Sequence, residues 1–184
     1  MKKYLLILIL LSAVVTASGC TDGGNQTENT TLNQTNTYSG DDFTVNYPQD
    51  WEQLSSKAQN SVVAFGDPNS ADGNGNVQIN VVIQKVVKPN GTTLQQYFNA
   101  TYTQFASQNL GYQPISEGNI TVNGVTALEN VYKINSGTAK QQRAVWIEKK
   151  NLPVVYIILC SAPVSDYNAQ QQNFDMIVNS FKLI

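Results

Sequence analysis

Histidine is absent from this chain of 184 residues. That removes in one step the commonest general base and the commonest zinc or iron ligand. Cysteine occurs only as Cys20 and Cys160, with no C-x-x-C spacing, which argues against zinc ribbons, thioredoxin-like chemistry and a disulfide framework. Charge is sparse: 11 basic and 13 acidic residues leave a net −2. Setting aside Lys2 and Lys3 takes 11 basic residues to 9 against 13 acidic, a balance of −4. A mildly acidic chain without basic clusters has nothing to displace phosphate counterions, so nucleic acid is not an expected partner. There is no G-x-S-x-G elbow, no P-loop and no dinucleotide fingerprint, and no cofactor is expected. The longest apolar run, Leu5 to Val15, is shorter than the roughly 20 residues a bilayer-spanning helix needs.

What is present begins with an address. Met1-Lys2-Lys3 is a basic start, the apolar run follows, and Ala17-Ser18-Gly19 supplies small residues for cleavage, so residues 1–19 read as a signal peptide. Ala17-Ser18-Gly19-Cys20 resembles the lipobox of prokaryotic lipoproteins, with Ala17 where leucine is usual. That resemblance implies that Cys20 is lipidated and becomes the mature N-terminus. It implies an exported protein anchored to the outer face of the cytoplasmic membrane in a bacterial or archaeal envelope. Residues 20–37 continue as Thr, Asn, Gln and Gly with a single aliphatic residue, Leu32. Such a segment cannot bury enough apolar surface to offset its ordering entropy, and is expected to be a disordered tether. As a flexible coil it reaches on the order of 20–25 Å. Sequons at Asn25, Asn29 and Asn33 make it a candidate sugar-bearing stalk, and Asn90, Asn99 and Asn119 begin three more.

Residues 38–184 read as one folded domain. Phe43, Val45 and Tyr47 alternate with Thr44 and Asn46 as a half-buried strand that Pro48 ends, after which Trp51 returns a large apolar surface to the core. A short strand is expected over Ser61 to Phe65. A polar, Gly-rich loop follows over Asp67 to Asn76, then a strand through Val77, Ile79, Val81 and Ile83 with a largely polar opposite face. Thr92 or Thr93 is placed to cap a helix whose stripe is Leu94, Tyr97, Phe98, Thr101, Tyr102 and Phe105. Helical spacing makes those aromatics core rather than a binding surface. Asn123-Gly124 predicts a type I′ hairpin between Ile120-Thr121-Val122 and the strand running to Ile134. Another strand follows over Ala139 to Lys149. Val154 to Leu159 has no polar face, so it is expected to be covered on both sides. Ser165 or Asp166 is placed to cap a last helix carrying Tyr167, Phe174, Ile177, Val178 and Phe181. This order predicts an α+β domain with a mainly antiparallel sheet.

The opening Phe43-Thr-Val-Asn-Tyr-Pro-Gln-Asp-Trp51 resembles the first strand of the PsbP-like families. The ending Phe174-Asp-Met-Ile-Val-Asn-Ser-Phe181 is similar to their closing helix. The resemblance implies an α/β/α sandwich: a central, mainly antiparallel sheet flanked by helices. Relatives include extrinsic subunits of the oxygen-evolving photosystem, Ran-binding import factors and DcrB-type envelope lipoproteins. It therefore implies docking or assembly more than catalysis, and it assigns no site residue here.

The residues themselves offer few sites. Asp72-x-Asn74-x-Asn76 begins like a calcium loop, but Val77 stands where glycine belongs and Ile83 where a bidentate glutamate belongs. A solvated hairpin loop is expected, which leaves open whether it holds a cation. Asp41-Asp42 read as exposed charges beside the tether, and Glu129 and Glu148 are acid–base candidates only in principle. Cys160 reads as an inert core thiol. The expectation is a non-enzymatic, lipid-anchored binding or assembly module whose partners are the membrane, through its lipid, and an unidentified envelope protein. The competing class is a small-ligand receptor or hydrolase using a pocket between sheet and helix, which a filled sheet–helix interface would disfavour. A purely structural envelope protein would lack any selective partner.

Overall fold

The computed structural model describes residues 15–16, 34–108, 110–135 and 137–184. Cys20, Asn25, Asn29 and Asn33 lie outside them. In chain order the elements are β1 (Val15–Thr16), β2 (Thr35–Ser39), β3 (Phe43–Pro48), β4 (Glu52–Ser56), β5 (Ser61–Gly66), β6 (Asn80–Val87) and α1 (Leu94–Ala106). They continue with β7 (Gln113–Val122), β8 (Val125–Asn135), β9 (Ala139–Glu148), β10 (Val154–Pro163), α2 (Gln171–Ser180) and β11 (Lys182–Leu183). The main sheet has the order β1-β4-β5-β6-β10-β9-β8-β7, and a small sheet has the order β11-β3-β2. Every described pairing is antiparallel. The fold is the α+β sandwich expected.

Two apolar layers close the main sheet. On one face α1 lays Tyr97, Phe98, Tyr102 and Phe105 against Leu128, Tyr132, Trp146, Val155 and Ile157. Rings meet edge to face around Trp146, whose Nε1 donates to Tyr102 Oη at 3.2 Å. On the other face α2 and the small sheet bury Phe43, Val45, Phe174, Ile177 and Phe181 against Phe65, Val81, Ile83, Tyr156 and Ile158. The central strand β10 is buried without a break from Val155 to Ala162, because both layers cover it.

Local chemistry sets the element ends. A capping box starts α1: Thr93 Oγ1 accepts from Gln96 N, and Gln96 Oε1 accepts from Thr93 N. Asn123 (φ 45°) and Gly124 (φ 79°) both sit in the left-handed region, as a type I′ turn requires. Asn123 does more than turn the chain: its Nδ2 donates to the carbonyls of Asn179 and Phe181, pinning the hairpin to the end of α2.

Four expectations need correction. Strand β2 starts at Thr35, inside the stretch read as tether, because an edge strand can pair through its backbone without a buried face. Thr37 Oγ1 also bonds Asn46 Oδ1 at 2.9 Å. Neither Ser165 nor Asp166 caps the last helix. Asp166 has helix-like angles (φ −103°, ψ −15°) and makes no side-chain cap bond, and a 3₁₀ turn over Tyr167–Gln170 leads into α2. The strand expected to run from Val77 starts at Asn80, and the face expected to be largely polar carries Asn80, Val82 and Gln84, all buried. The two side-chain amides donate inward, Asn80 Nδ2 to Val77 O at 2.9 Å and Gln84 Nε2 to Gln59 O at 3.0 Å. Amides at alternate strand positions look like a wet face in the sequence, whereas here they satisfy loop carbonyls. Asp42, read as an exposed charge, is half-buried in an ion cluster described below.

Candidate functional site

The helix–sheet interfaces are packed with aromatic and aliphatic side chains. An open cleft of about 760 Å³ lies instead at one end of the sandwich. Four pieces build it. Gly124, Val125 and Thr126 come from the β7–β8 hairpin, Glu148 to Asn151 from the β9–β10 turn, Leu94 from the start of α1, and Leu183 and Ile184 from the β11 segment. Among the described residues, three of the five large exposed hydrophobics, Val87, Leu152 and Ile184, belong to these segments or to residues next to them. Such clustering marks a surface more often than scattered single residues do.

Ion pairs hold this end together. The Asp42 carboxylate accepts from Lys85 Nζ and, at 2.9 Å, from Lys149 Nζ, and Lys149 Nζ also reaches Ile184 O at 3.1 Å. The cluster ties the start of β3 to β6, β9 and the β11 segment. The Tyr156 hydroxyl lies beside Asp42 and Lys85 but has no well-formed hydrogen bond. Burial first, then the neighbouring carboxylate, pushes it up to about 12. Lys88 Nζ pairs with Glu148 at 3.1 Å. Lys150, exposed on the cleft lining, has no carboxylate within 4 Å among the described residues.

Hydrogen bonds from Lys85 and then Lys149 hold Asp42 well below its ordinary value of 3.8. A carboxyl depressed in the folded state adds stability that is complete above its unfolded value and is lost as pH falls through its folded value. Acid unfolding of the natural chain should therefore steepen below about pH 4. In Asp42→Asn that part of the slope disappears and stability at neutral pH is lower. Urea titrations across pH 7 to 2 check this; parallel curves for the two proteins would contradict it.

The other acid–base candidates are occupied. Glu129 accepts from Arg143 Nε at 2.6 Å, while Arg143 Nη1 reaches Asp175 at 2.5 Å, so the arginine joins β8 and β9 to α2. Cys160 is wholly buried and burial pushes its thiol up to about 12, the signature of an inert core cysteine.

In the Asp67–Asn76 loop, Asp72 faces its own loop's donors. Its Oδ1 accepts from Asn74 N and Asn76 N, both at 2.9 Å, and its Oδ2 from Asn76 Nδ2 and Gln78 Nε2. Those bonds, from Asn76 foremost, lower its pKa. The carboxylate therefore acts as the loop's internal clasp. Among the described residues no group of three or more Cys, Asp or Glu is arranged to hold a metal ion. Asn90, Asn99 and Asn119 are all exposed: Asn90 in the turn before α1, Asn99 on α1 where Gln95 Nε2 donates to its Oδ1, and Asn119 on the edge strand β7.

Sequence reasoning named Leu94, Gly124 and Glu148 in other roles and did not bring them together as a cleft. Its lining comes from four separate turns and ends, and only the register of the folded sheet brings them together. The lone signal was the lysine pair Lys149-Lys150 beside a turn.

Comparison with known proteins places the architecture. The family model described as PsbP-like protein matches residues 4–183. Cyanobacterial PsbP (CyanoP) of Synechocystis sp. PCC 6803 is similar at a TM-score of 0.61 and 15% identity, covering 87% of this chain and 98% of that one. LpqN of Mycobacterium tuberculosis, described as involved in cell envelope biogenesis, gives 0.53 and 16%, with 82% and 90% covered. The Saccharomyces cerevisiae Ran-binding protein Mog1p gives 0.53 and 10%, with 82% and 96% covered. At these identities the structural likenesses establish the fold alone. A search of curated proteins finds no match. Among the described residues no helix is long and apolar enough to cross a membrane. A family model that runs over nearly the whole length, joined to the observed sandwich, gives the assignment: the chain belongs to the PsbP-like protein family.

Proposed function

We propose that this protein is an exported, lipid-anchored binding module that holds its cleft away from the membrane for an envelope protein to engage. The observation that carries the reading is polarity along β3. The chain enters the domain at Thr35, which pairs with Pro48, whereas Phe43 at the other end of β3 pairs with Leu183 on the cleft wall. At the rise of an extended strand those ends lie on the order of 17 Å apart. Cleavage before Cys20 would remove the two-residue strand β1 from the sheet edge, and a lipid on Cys20 would tether one end of the sandwich and leave the opposite end free. Anchoring confines the domain near membrane-bound partners and raises their effective concentration without strengthening any single contact. The reading is non-catalytic, in keeping with the pairing of Asp42, Glu129 and Glu148 with cations and the packed clusters on both sheet faces. LpqN, similar in fold and described as acting in cell envelope biogenesis, supports an envelope setting.

The test is fractionation of cells making the natural chain or Cys20→Ser. The natural protein should sediment with membranes and carry the mass of an acyl-modified N-terminal cysteine. The variant should fold normally and leave the membrane fraction almost entirely, since the acyl chains supply its membrane affinity at about 0.8 kcal/mol per buried methylene. Unchanged membrane retention of the variant overturns the reading.

A further inference from the structure

We infer that the cleft takes a protein segment in which one carboxylate is flanked by branched aliphatic side chains; this rests on the binding-module reading above. The walls supply four aliphatic residues, Leu94, Val125, Leu183 and Ile184, all partly or fully open to solvent. An occupant must therefore bring apolar surface of its own to cover them. The charges select its sign. Lys149 is committed to Asp42 and to the Ile184 carbonyl, and Glu148 is committed to Lys88. That leaves Lys150, exposed at the lining and without a carboxylate in reach among the described residues. A single unmatched ammonium beside aliphatic walls complements a single carboxylate between aliphatic side chains.

The same features disfavour a lipid. An acyl chain gains most from an enclosed apolar sleeve, whereas this cleft is open and edged by Thr126 and Asn151.

The experiment uses the full chain carrying Cys20→Ser, so that no lipid contributes to binding. Three fluorescent peptides are titrated: one with Leu-Val-Glu-Ile-Leu at its centre, one with lysine replacing the glutamate, and one with serine replacing the aliphatic residues. Phosphatidylglycerol vesicles form a fourth arm. The glutamate–aliphatic peptide alone should bind. Lys150→Glu should weaken it about tenfold or more, and Thr126→Trp, which fills the cleft from an exposed strand position, should abolish it. Lys133→Glu, on β8 near its opposite end, should change nothing. Unaltered urea midpoints confirm that the variants fold. Equal binding of the lysine peptide, binding of the vesicles alone, or no peptide binding overturns the inference. Failure here with intact lipid-dependent localisation leaves the anchored-module reading standing, so the two are separable.

Discussion

Trp146→Ala will lower the stability of the domain by about 3–5 kcal/mol, the range for truncating a large buried aromatic. The indole is wholly enclosed and contacts the rings of Tyr97, Phe98 and Tyr102, so it joins α1 to the middle of the sheet. Truncation removes that packing and also strips Tyr102 Oη of the indole donor. The hydroxyl is left with the Tyr132 hydroxyl as its neighbour in a site where burial already pushes its pKa up, and the lost hydrogen bond adds to the cost. Trp146→Phe keeps most of the packing and forfeits the N–H, so it should cost less than half as much. Urea unfolding followed by near-ultraviolet circular dichroism reads both changes. A loss of under about 1 kcal/mol for the alanine variant would mean that α1 is not fastened through this ring.

Gly66→Ala will destabilise the domain by about 1–3 kcal/mol, against the usual sense of a glycine-to-alanine change in extended backbone. A Cβ there would stand 2.6 Å from Leu54 Cδ1, 2.7 Å from Val77 Cγ1 and 2.8 Å from the Ile79 carbonyl oxygen. The two side chains can shift a little. The carbonyl cannot, because it accepts from Asp67 N at 3.0 Å and holds the base of the Asp67–Asn76 loop. Gly73 in that loop has nothing within 4 Å of the same position, so Gly73→Ala should fall within about 0.5 kcal/mol of the natural chain. Thermal unfolding of the pair decides the matter; equal midpoints would show that the loop base gives way freely.

The parts of this fold that sequence reading recovers are those with strong short-range periodicity or punctuation. The stripe on α1, the Asn123-Gly124 turn and the unbroken apolar run of β10 each carry their structure in a few neighbouring residues. Where a role depends on distant partners, the signal vanishes. Asp42 beside Asp41 looks like one more surface acid until β3 brings it to Lys85 and Lys149. Asn80 and Gln84 look wet until loop carbonyls arrive above them. Strand β4, flanked on one side only by the two-residue β1, and most of the edge strand β7 offer no apolar alternation, because strands with exposed side chains are specified by backbone pairing. The cleft is the extreme case, assembled from four segments that share no local pattern.

The proposed tethered domain would meet its partner at the cleft end. Photo-crosslinking on intact cells tests it most directly, with the reactive group placed at Thr126 on the cleft or at Asn69 in the loop at the opposite end. The prediction is a discrete protein adduct from position 126, absent from position 69 and lost in Cys20→Ser. Adducts from position 69 alone, or an adduct from position 126 that survives release from the membrane undiminished, would contradict it.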